Sequence, residues 1–264
     1  MEKIILLNKK EGETPLQALE IFRQKASRKN KEYKNTKMTY AGRLDPMASG
    51  LLLILLGEET KNKEKYLALD KEYLFEVLFG FSTDTYDILG KVTKVSKQET
   101  TKNNIRHGVY LKLKLEKKIK ENLKIFLGES IQKYPMYSSK TVLGKPLFTY
   151  AREGEEVEIP KKKIFIKKLQ LDNIKEINNK KLYSKIEKRI KKVQGDFRQK
   201  EILKIWKNNL ILSKKSSTFY VASFKIKCSS GTYVRSLANS LGNMIQIPAL
   251  AFSIKRTKIG KYML

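Results

Sequence analysis

A run of six aliphatic residues, Leu51–Leu56, constrains the fold of this chain more than any other stretch. Gly50 and Gly57 close the run, which is too short to cross a membrane. A short apolar run between glycines predicts a strand that is buried on both faces. An acidic residue, Asp45, precedes this strand, and the proline that follows it favours extended backbone at the aspartate.

Asp45 has two interpretations on the local pattern alone. A carboxylate on a loop that a buried strand holds in place is well situated for catalysis. An Asp-Pro pair is also an ordinary way to begin a turn. The local sequence leaves both interpretations open.

The charge of the chain points to a polyanionic partner. Its 264 residues include 56 basic and 27 acidic ones, a formal net charge of +29, which is typical of nucleic-acid binding. The alternative is a lysine-rich composition shared by all proteins of an AT-rich genome. The single cysteine and single histidine exclude a disulfide framework and a Cys/His zinc site. No signal peptide or membrane span is recognisable, so we expect a cytoplasmic protein.

Several segments together resemble the motifs of the TruB family of tRNA pseudouridine-55 synthases. They are GRLDPMASGLL from Gly42, the stretch from Lys71 to Gly90, the stretch from Gln132 to Gly154, CSSGTYVRSLANSLG from Cys228, and Lys255-Arg256-Thr257 with Gly260. Each is weak alone, but they occur in order over nearly the whole chain.

The resemblance implies a fold and an activity. The fold would be the α+β pseudouridine synthase fold, a mixed, mostly antiparallel sheet flanked by helices, as a single catalytic domain over residues 1–264. The activity would be isomerisation of uridine 55 in the T-loop of tRNA to pseudouridine, without a cofactor or metal. The partner would be the T-arm of tRNA, bound by a monomer.

The resemblance also implies residue roles. Asp45 would be the nucleophile, Tyr73 would stack on the target uracil, and Arg235 would pair with Asp45. Without the resemblance, Tyr73 fits a packed strand aromatic and Arg235 fits a surface cation. The expected RNA-binding residues are Tyr40, Arg43, Lys71, Tyr137, Lys140, Arg152 and Arg256.

The chain departs from the family pattern in three places. Tyr40 stands where the family has a histidine, and a tyrosine can stack on a base there. Residues 173–217 form a basic insertion, predicted to be helical, which either reaches along the tRNA or packs on the domain. The four residues after Gly260 leave no room for the C-terminal PUA domain of most bacterial relatives, so we expect none.

Other patterns give smaller predictions. Alternation predicts a strand at Val109–Leu115, and Asp196 is a candidate cap for a second helix in the insertion. Asp84 and Asp87 have the residue type for a metal pair, but their spacing is weak evidence.

Two alternative functions stay open. One is a pseudouridine synthase that acts on another RNA or is guided by an RNA–protein complex. The other is a non-catalytic tRNA-folding chaperone, whose activity would survive the change Asp45→Asn.

Overall fold

The computed structural model describes residues 3–96, 105–212 and 218–264. In chain order its strands and helices are β1 (Ile4–Lys9), α1 (Pro15–Lys29), α2 (Glu32–Asn35), β2 (Met38–Ala41), β3 (Ala48–Leu56), α3 (Lys63–Leu67), β4 (Lys71–Phe79), β5 (Phe81–Thr83), β6 (Val92–Val95), α4 (Ile105–Leu123), β7 (Gly128–Lys133), β8 (Thr141–Val142), β9 (Lys145–Pro146), α5 (Leu147–Glu153), β10 (Lys161–Asn178), α6 (Asn179–Ile190), α7 (Gln199–Lys207), β11 (Thr218–Cys228), α8 (Val234–Met244), β12 (Ala249–Ile259) and β13 (Tyr262–Met263).

One large sheet organises the described part of the chain. Its strand order is β1-β3-β12-β4-β11-β10-β7, with β2 added to β3 and β13 added to β12. Neighbouring strands are antiparallel except β12 and β3, which are parallel. Helices pack on both faces, so the predicted α+β class with a mostly antiparallel sheet is confirmed.

The predicted buried strand is β3. Residues 51–56 are each at most 3 % exposed, because β3 lies between β1 and β12 in the sheet and is covered on both faces. Helix α1 begins where the sequence predicts. The Thr14 side chain accepts a hydrogen bond from the Gln17 N–H, and Pro15 occupies the first helical position.

The predicted strand at Val109–Leu115 is wrong, because this segment belongs to α4. Leu115, Ile119 and Leu123 are buried in one core cluster. Their spacing of four residues places them on one helical face, and burying that face outweighs the local alternation of leucine and lysine.

The segment expected from the sequence to be an insertion packs on the domain over its described residues, 173–212, and is called the insertion below. Beyond β10 it contributes α6 and α7, and residues 213–217 lie outside the described part. Its apolar side chains cover the sheet face opposite α4 and α8. They are Leu182, Ile186, Ile190, Ile202, Trp206 and Leu210, all fully buried. The residue that caps α7 is Arg198 rather than Asp196, whose carboxylate instead accepts the Arg198 N–H at 3.1 Å.

Among the described residues, no helix is long and apolar enough to cross a membrane.

Candidate active site

The loop that carries Asp45 joins β2 to β3 and is held through its backbone. The Pro46 carbonyl accepts a hydrogen bond from the Gly12 N–H at 2.8 Å. The Ala48 carbonyl accepts one from Lys9 Nζ at 2.6 Å. These two contacts hold the backbone just after Asp45 and so restrict the direction in which its side chain leaves the loop.

Arg235, in the first turn of α8, binds both carboxylate oxygens of Asp45. Its Nε donates to Oδ2 at 2.6 Å and its Nη2 donates to Oδ1 at 3.1 Å. The guanidinium also donates to two backbone carbonyls, those of Thr85 at 2.6 Å and Tyr137 at 3.3 Å. The Arg235 side chain is 3 % exposed and that of Asp45 is 38 % exposed. The two-point contact therefore orients the carboxylate and balances its charge while leaving part of it open to a ligand.

A second carboxylate, Asp87, lies beside the same guanidinium. Its Oδ2 is 3.8 Å from Arg235 Nε, and its Oδ1 accepts hydrogen bonds from the Thr85 hydroxyl and the Leu89 N–H. Burial raises the pKa of Asp87 above its ordinary value, against the opposing effect of Arg235. Asp87 thus helps to hold Arg235 from the buried side, away from the exposed edge of Asp45.

Asp84 and Asp87, considered above as a possible metal pair, have different arginine partners. Asp84 accepts a hydrogen bond from Arg198 at 2.7 Å, whereas Asp87 faces Arg235. Within residues 3–96, 105–212 and 218–264 no group of three or more His, Cys, Asp or Glu side chains is arranged to hold a metal ion.

A cavity of about 600 Å³ opens beside Asp45, and Tyr73 of β4 lines it. This volume falls within the usual range for small-molecule sites, and it has room for a nucleoside. Burial raises the pKa of the Tyr73 phenol, with Asp45 adding to the effect and Arg256 opposing it. The ring beside the carboxylate is therefore uncharged at neutral pH.

Arg256 of β12 is 1 % exposed, and its guanidinium donates hydrogen bonds to the backbone around the Asp45 loop. It donates to the carbonyls of Leu51 at 2.8 Å, Gly42 at 3.2 Å and Arg43 at 3.2 Å. The strands approach so closely here that a Cβ on Gly50 would lie 2.2 Å from the Arg256 carbonyl oxygen. Arg256 therefore holds the turn before Asp45 in place.

Lys71 is also turned inward, at 5 % exposed. Its Nζ donates to the Leu67 carbonyl at 2.6 Å and to the Leu69 carbonyl, and burial lowers its pKa to about 8. Lys71 and Arg256, which the sequence predicts to contact RNA, thus both donate to backbone carbonyls. Neither side chain has an exposed charge to offer a phosphate, although both line the cavity.

The other predicted RNA-binding side chains lie at two cavities that both reach Asp45, called here the two openings. The first opening is the cavity of about 600 Å³ that Tyr73 lines. The second opening is a cavity of about 510 Å³ on the side of the insertion. Tyr40 and Arg43 line both openings. The first opening is also lined by Lys140, and the second by Tyr137 and Arg152. Arg43, Lys140 and Arg152 are exposed. The Arg152 guanidinium lies 5.6 Å from the centre of the Phe148 ring.

Two cations near the site, Lys9 and Arg198, were not predicted from the sequence. Lys9 is fully buried, with a pKa that burial lowers to about 8. A lysine that ends the apolar run of β1 carries no local sign of burial. Arg198 belongs to the insertion and reaches both Asp84 and Tyr137. It lies in a stretch without a family motif, so only the folded arrangement reveals it.

Comparison with known proteins gives one family. A family model described as "TruB family pseudouridylate synthase (N terminal domain)" matches residues 29–191, more than half of the chain. The protein named tRNA pseudouridine synthase B in Endomicrobium trichonymphae is 32% identical over 260 residues, covering 98% of this chain and 85% of the relative. The protein of the same name in Caldicellulosiruptor saccharolyticus is 30% identical over 262 residues, covering 99% of this chain and 69% of the relative.

The fold is shared with solved structures. A chain of a Cbf5–Nop10–Gar1 complex aligns with a TM-score of 0.54 at 17% identity, covering 99% of this chain and 50% of that one. A chain of an H/ACA RNP bound to a substrate RNA containing 2′-deoxyuridine aligns with a TM-score of 0.51 at 17% identity. This chain thus spans about half the length of these two chains, and 69% and 85% of the two curated relatives named above.

Proposed function

Because the chain belongs to the TruB family of pseudouridine synthases, we propose that it isomerises uridine 55 in the T-loop of tRNA to pseudouridine, with Asp45 as the nucleophile. The chain is an isomerase of the tRNA pseudouridine synthase B type. The observation that carries the assignment of the nucleophile is the two-point contact between Arg235 and a partly exposed Asp45 at the mouth of a cavity.

The proposed reaction needs a nucleophile, a site for the flipped base and no external reagent. The Asp45 carboxylate adds to the flipped nucleotide, which divides one difficult substitution into two easier steps. The N1–C1′ glycosidic bond breaks, the uracil turns within the cavity, and a C5–C1′ bond forms. The bond to Asp45 breaks, the C5 proton is lost and N1 gains a proton, so uridine and pseudouridine have the same atoms. Arg235 keeps the carboxylate aimed at the cavity through these steps.

Tyr73 is the proposed stacking partner of the uracil. Flipping a nucleotide out of its stack costs a few kcal/mol, and stacking on an aromatic ring offsets about 1–3 kcal/mol. The raised pKa of Tyr73 supports a neutral ring that stacks rather than a phenolate base. Tyr40, at both openings, is the second ring we propose for the T-loop.

The exposed cations at the openings are the proposed phosphate contacts. Arg43, Lys140 and Arg152 lie on either side of Asp45, where an RNA loop would pass when one nucleotide enters the cavity. Lys71 and Arg256 are proposed instead to hold the walls of the cavity, because their charges end on backbone carbonyls.

The test is to map pseudouridine with carbodiimide and reverse transcription in an unmodified tRNA transcript. Wild-type protein should give one stop, at the nucleotide on the 3′ side of position 55, and Asp45→Asn should give none. A transcript with cytidine at position 55 is the substrate control, and tRNA binding by Asp45→Asn shows that the variant is folded. A stop at another position would refute the proposed target. Tight binding without any stop would favour the chaperone alternative, and full activity of Asp45→Asn would refute the nucleophile.

A further inference from the structure

Arg198 joins the insertion to the surroundings of Arg235. Its Nη1 donates to Asp84 Oδ2 at 2.7 Å and to the Tyr137 hydroxyl at 2.8 Å. Its guanidinium also lies over the Tyr137 ring, 4.4 Å from the centre. Asp84 and Tyr137 belong to different segments, 53 residues apart in sequence (137 − 84), and one side chain connects them.

Those two segments supply the backbone carbonyls that hold Arg235. One is the carbonyl of Thr85, the residue after Asp84, and the other is the carbonyl of Tyr137 itself. A shift of either segment would therefore move an acceptor of the guanidinium that orients Asp45.

The backbone of Arg198 is unusual for its residue type. Its φ of 61° lies in the left-handed region, which costs a residue with a Cβ free energy and persists where the surroundings enforce it. The α7 helix that begins after Arg198 is anchored in the core by Trp206, which is fully buried and donates to the Ile88 carbonyl at 3.1 Å. The guanidinium is thus presented from a fixed support.

We propose that Arg198 is a positioning residue that ties the Asp84 and Tyr137 segments together and so sets the orientation of Arg235 and Asp45. This inference rests on the proposed function for its kinetic consequence. A direct phosphate contact fits the geometry less well, because the Arg198 side chain is 21 % exposed and already paired with Asp84. A phosphate would have to displace that carboxylate.

The variant that tests this is Arg198→Gly. Glycine adopts a positive φ without strain, so the variant keeps the backbone conformation and loses only the side chain. We expect the single-turnover rate at saturating tRNA to fall by about 10- to 100-fold, the size of effect that a small misplacement of a catalytic group produces. The Kd for tRNA should change by less than about threefold, which is about half of the 1.4 kcal/mol that a tenfold change in affinity represents.

Two further variants sharpen the kinetic result. Lys200→Ala removes an exposed cation two residues away and should leave rate and Kd unchanged. Arg198→Lys keeps the charge but lacks the planar fork that reaches two acceptors, so its rate should lie between wild type and Arg198→Gly. A raised Kd with an unchanged saturating rate would overturn the proposal and make Arg198 an RNA contact.

A measurement without RNA separates this inference from the proposed function. In the free protein, hydrogen exchange of the Arg235 Nε–H, followed by nitrogen-15 NMR, reports how tightly the guanidinium is held. If the Thr85 or Tyr137 segment shifts and Arg235 loses one of its two carbonyl acceptors, worth about 1 kcal/mol, this exchange should speed up by about fivefold in Arg198→Gly. Faster exchange in a protein that makes no pseudouridine would refute the function and keep the positioning role. Unchanged exchange in an active protein would refute the positioning role alone.

Discussion

The buried ammonium of Lys9 should give the protein a characteristic dependence of stability on pH. Burial lowers the pKa of Lys9 from 10.5 to about 8, although Glu13 and Asp45 favour the charged form. Lys9 is fully buried, and its Nζ donates to the carbonyls of Ala48 and Lys10. The unfolded chain leaves this ammonium in water, so the two states bind its proton with different affinities.

The sign follows from which state holds the proton. Between pH 8 and 10.5 the unfolded chain keeps the Lys9 proton and the folded chain releases it. Stability from this group therefore rises with pH across that window, is complete above pH 10.5 and is lost as pH falls to 8. The difference between the two pKa values corresponds to about 3 kcal/mol, at 1.36 kcal/mol for each pH unit.

The perturbation is Lys9→Met, which keeps the length of the side chain and removes its proton. Urea unfolding from pH 7 to pH 10.5 gives the free energy of unfolding of both proteins. The value for wild type minus that for Lys9→Met should increase by about 3 kcal/mol over this range. Lys10→Met removes an exposed ammonium from the adjacent position and supplies the baseline. A wild-type minus Lys9→Met difference that stays level, or falls as pH rises, would refute the buried placement of Lys9.

Two further predictions concern the core and the cavity. Trp206→Ala should lower the free energy of unfolding by about 3–5 kcal/mol, since it empties a fully buried site and leaves the Ile88 carbonyl without its donor. Chemical denaturation measures this loss. A loss below about 1 kcal/mol, the typical value for any point change, would contradict the packing of the insertion. Tyr73→Phe should retain most of the single-turnover rate on tRNA, and Tyr73→Leu should lose about 10-fold or more. Only the second change removes an aromatic surface worth about 1–3 kcal/mol. Equal losses of rate in both variants would assign the role of Tyr73 to its hydroxyl instead.

Local sequence was sufficient for those elements whose cause is local. The buried strand β3 follows from its unbroken aliphatic run, and the start of α1 follows from Thr14 and Pro15. At Val109–Leu115 a local alternation competed with a longer four-residue spacing, and tertiary burial of the helical face decided the outcome. Propensity and pattern are weak where packing against a distant element selects between two periods.

The site depends on contacts that no local pattern contains. Asp45 and Arg235 are 190 residues apart, and only the family resemblance paired them in the sequence. The inward orientation of the Lys71 and Arg256 side chains could not be predicted from the sequence for a related reason. A basic residue looks the same in sequence whether its charge meets a phosphate or a backbone carbonyl, and burial distinguishes the two.

The insertion has a structural role in the domain that does not depend on contact with a nucleic acid. Its apolar side chains share a core cluster with Met47, two residues after Asp45, and with Leu78 and Leu250 of the sheet. Arg189 adds a hydrogen-bonded pair with Glu11, whose neighbour Gly12 donates to the Asp45 loop. Removing the insertion would expose this sheet face to water and loosen the loop, so a deletion would lose activity even if tRNA binding were intact. Single-residue changes such as Arg198→Gly and Lys200→Ala separate the two causes, because each leaves the buried face of the insertion in place.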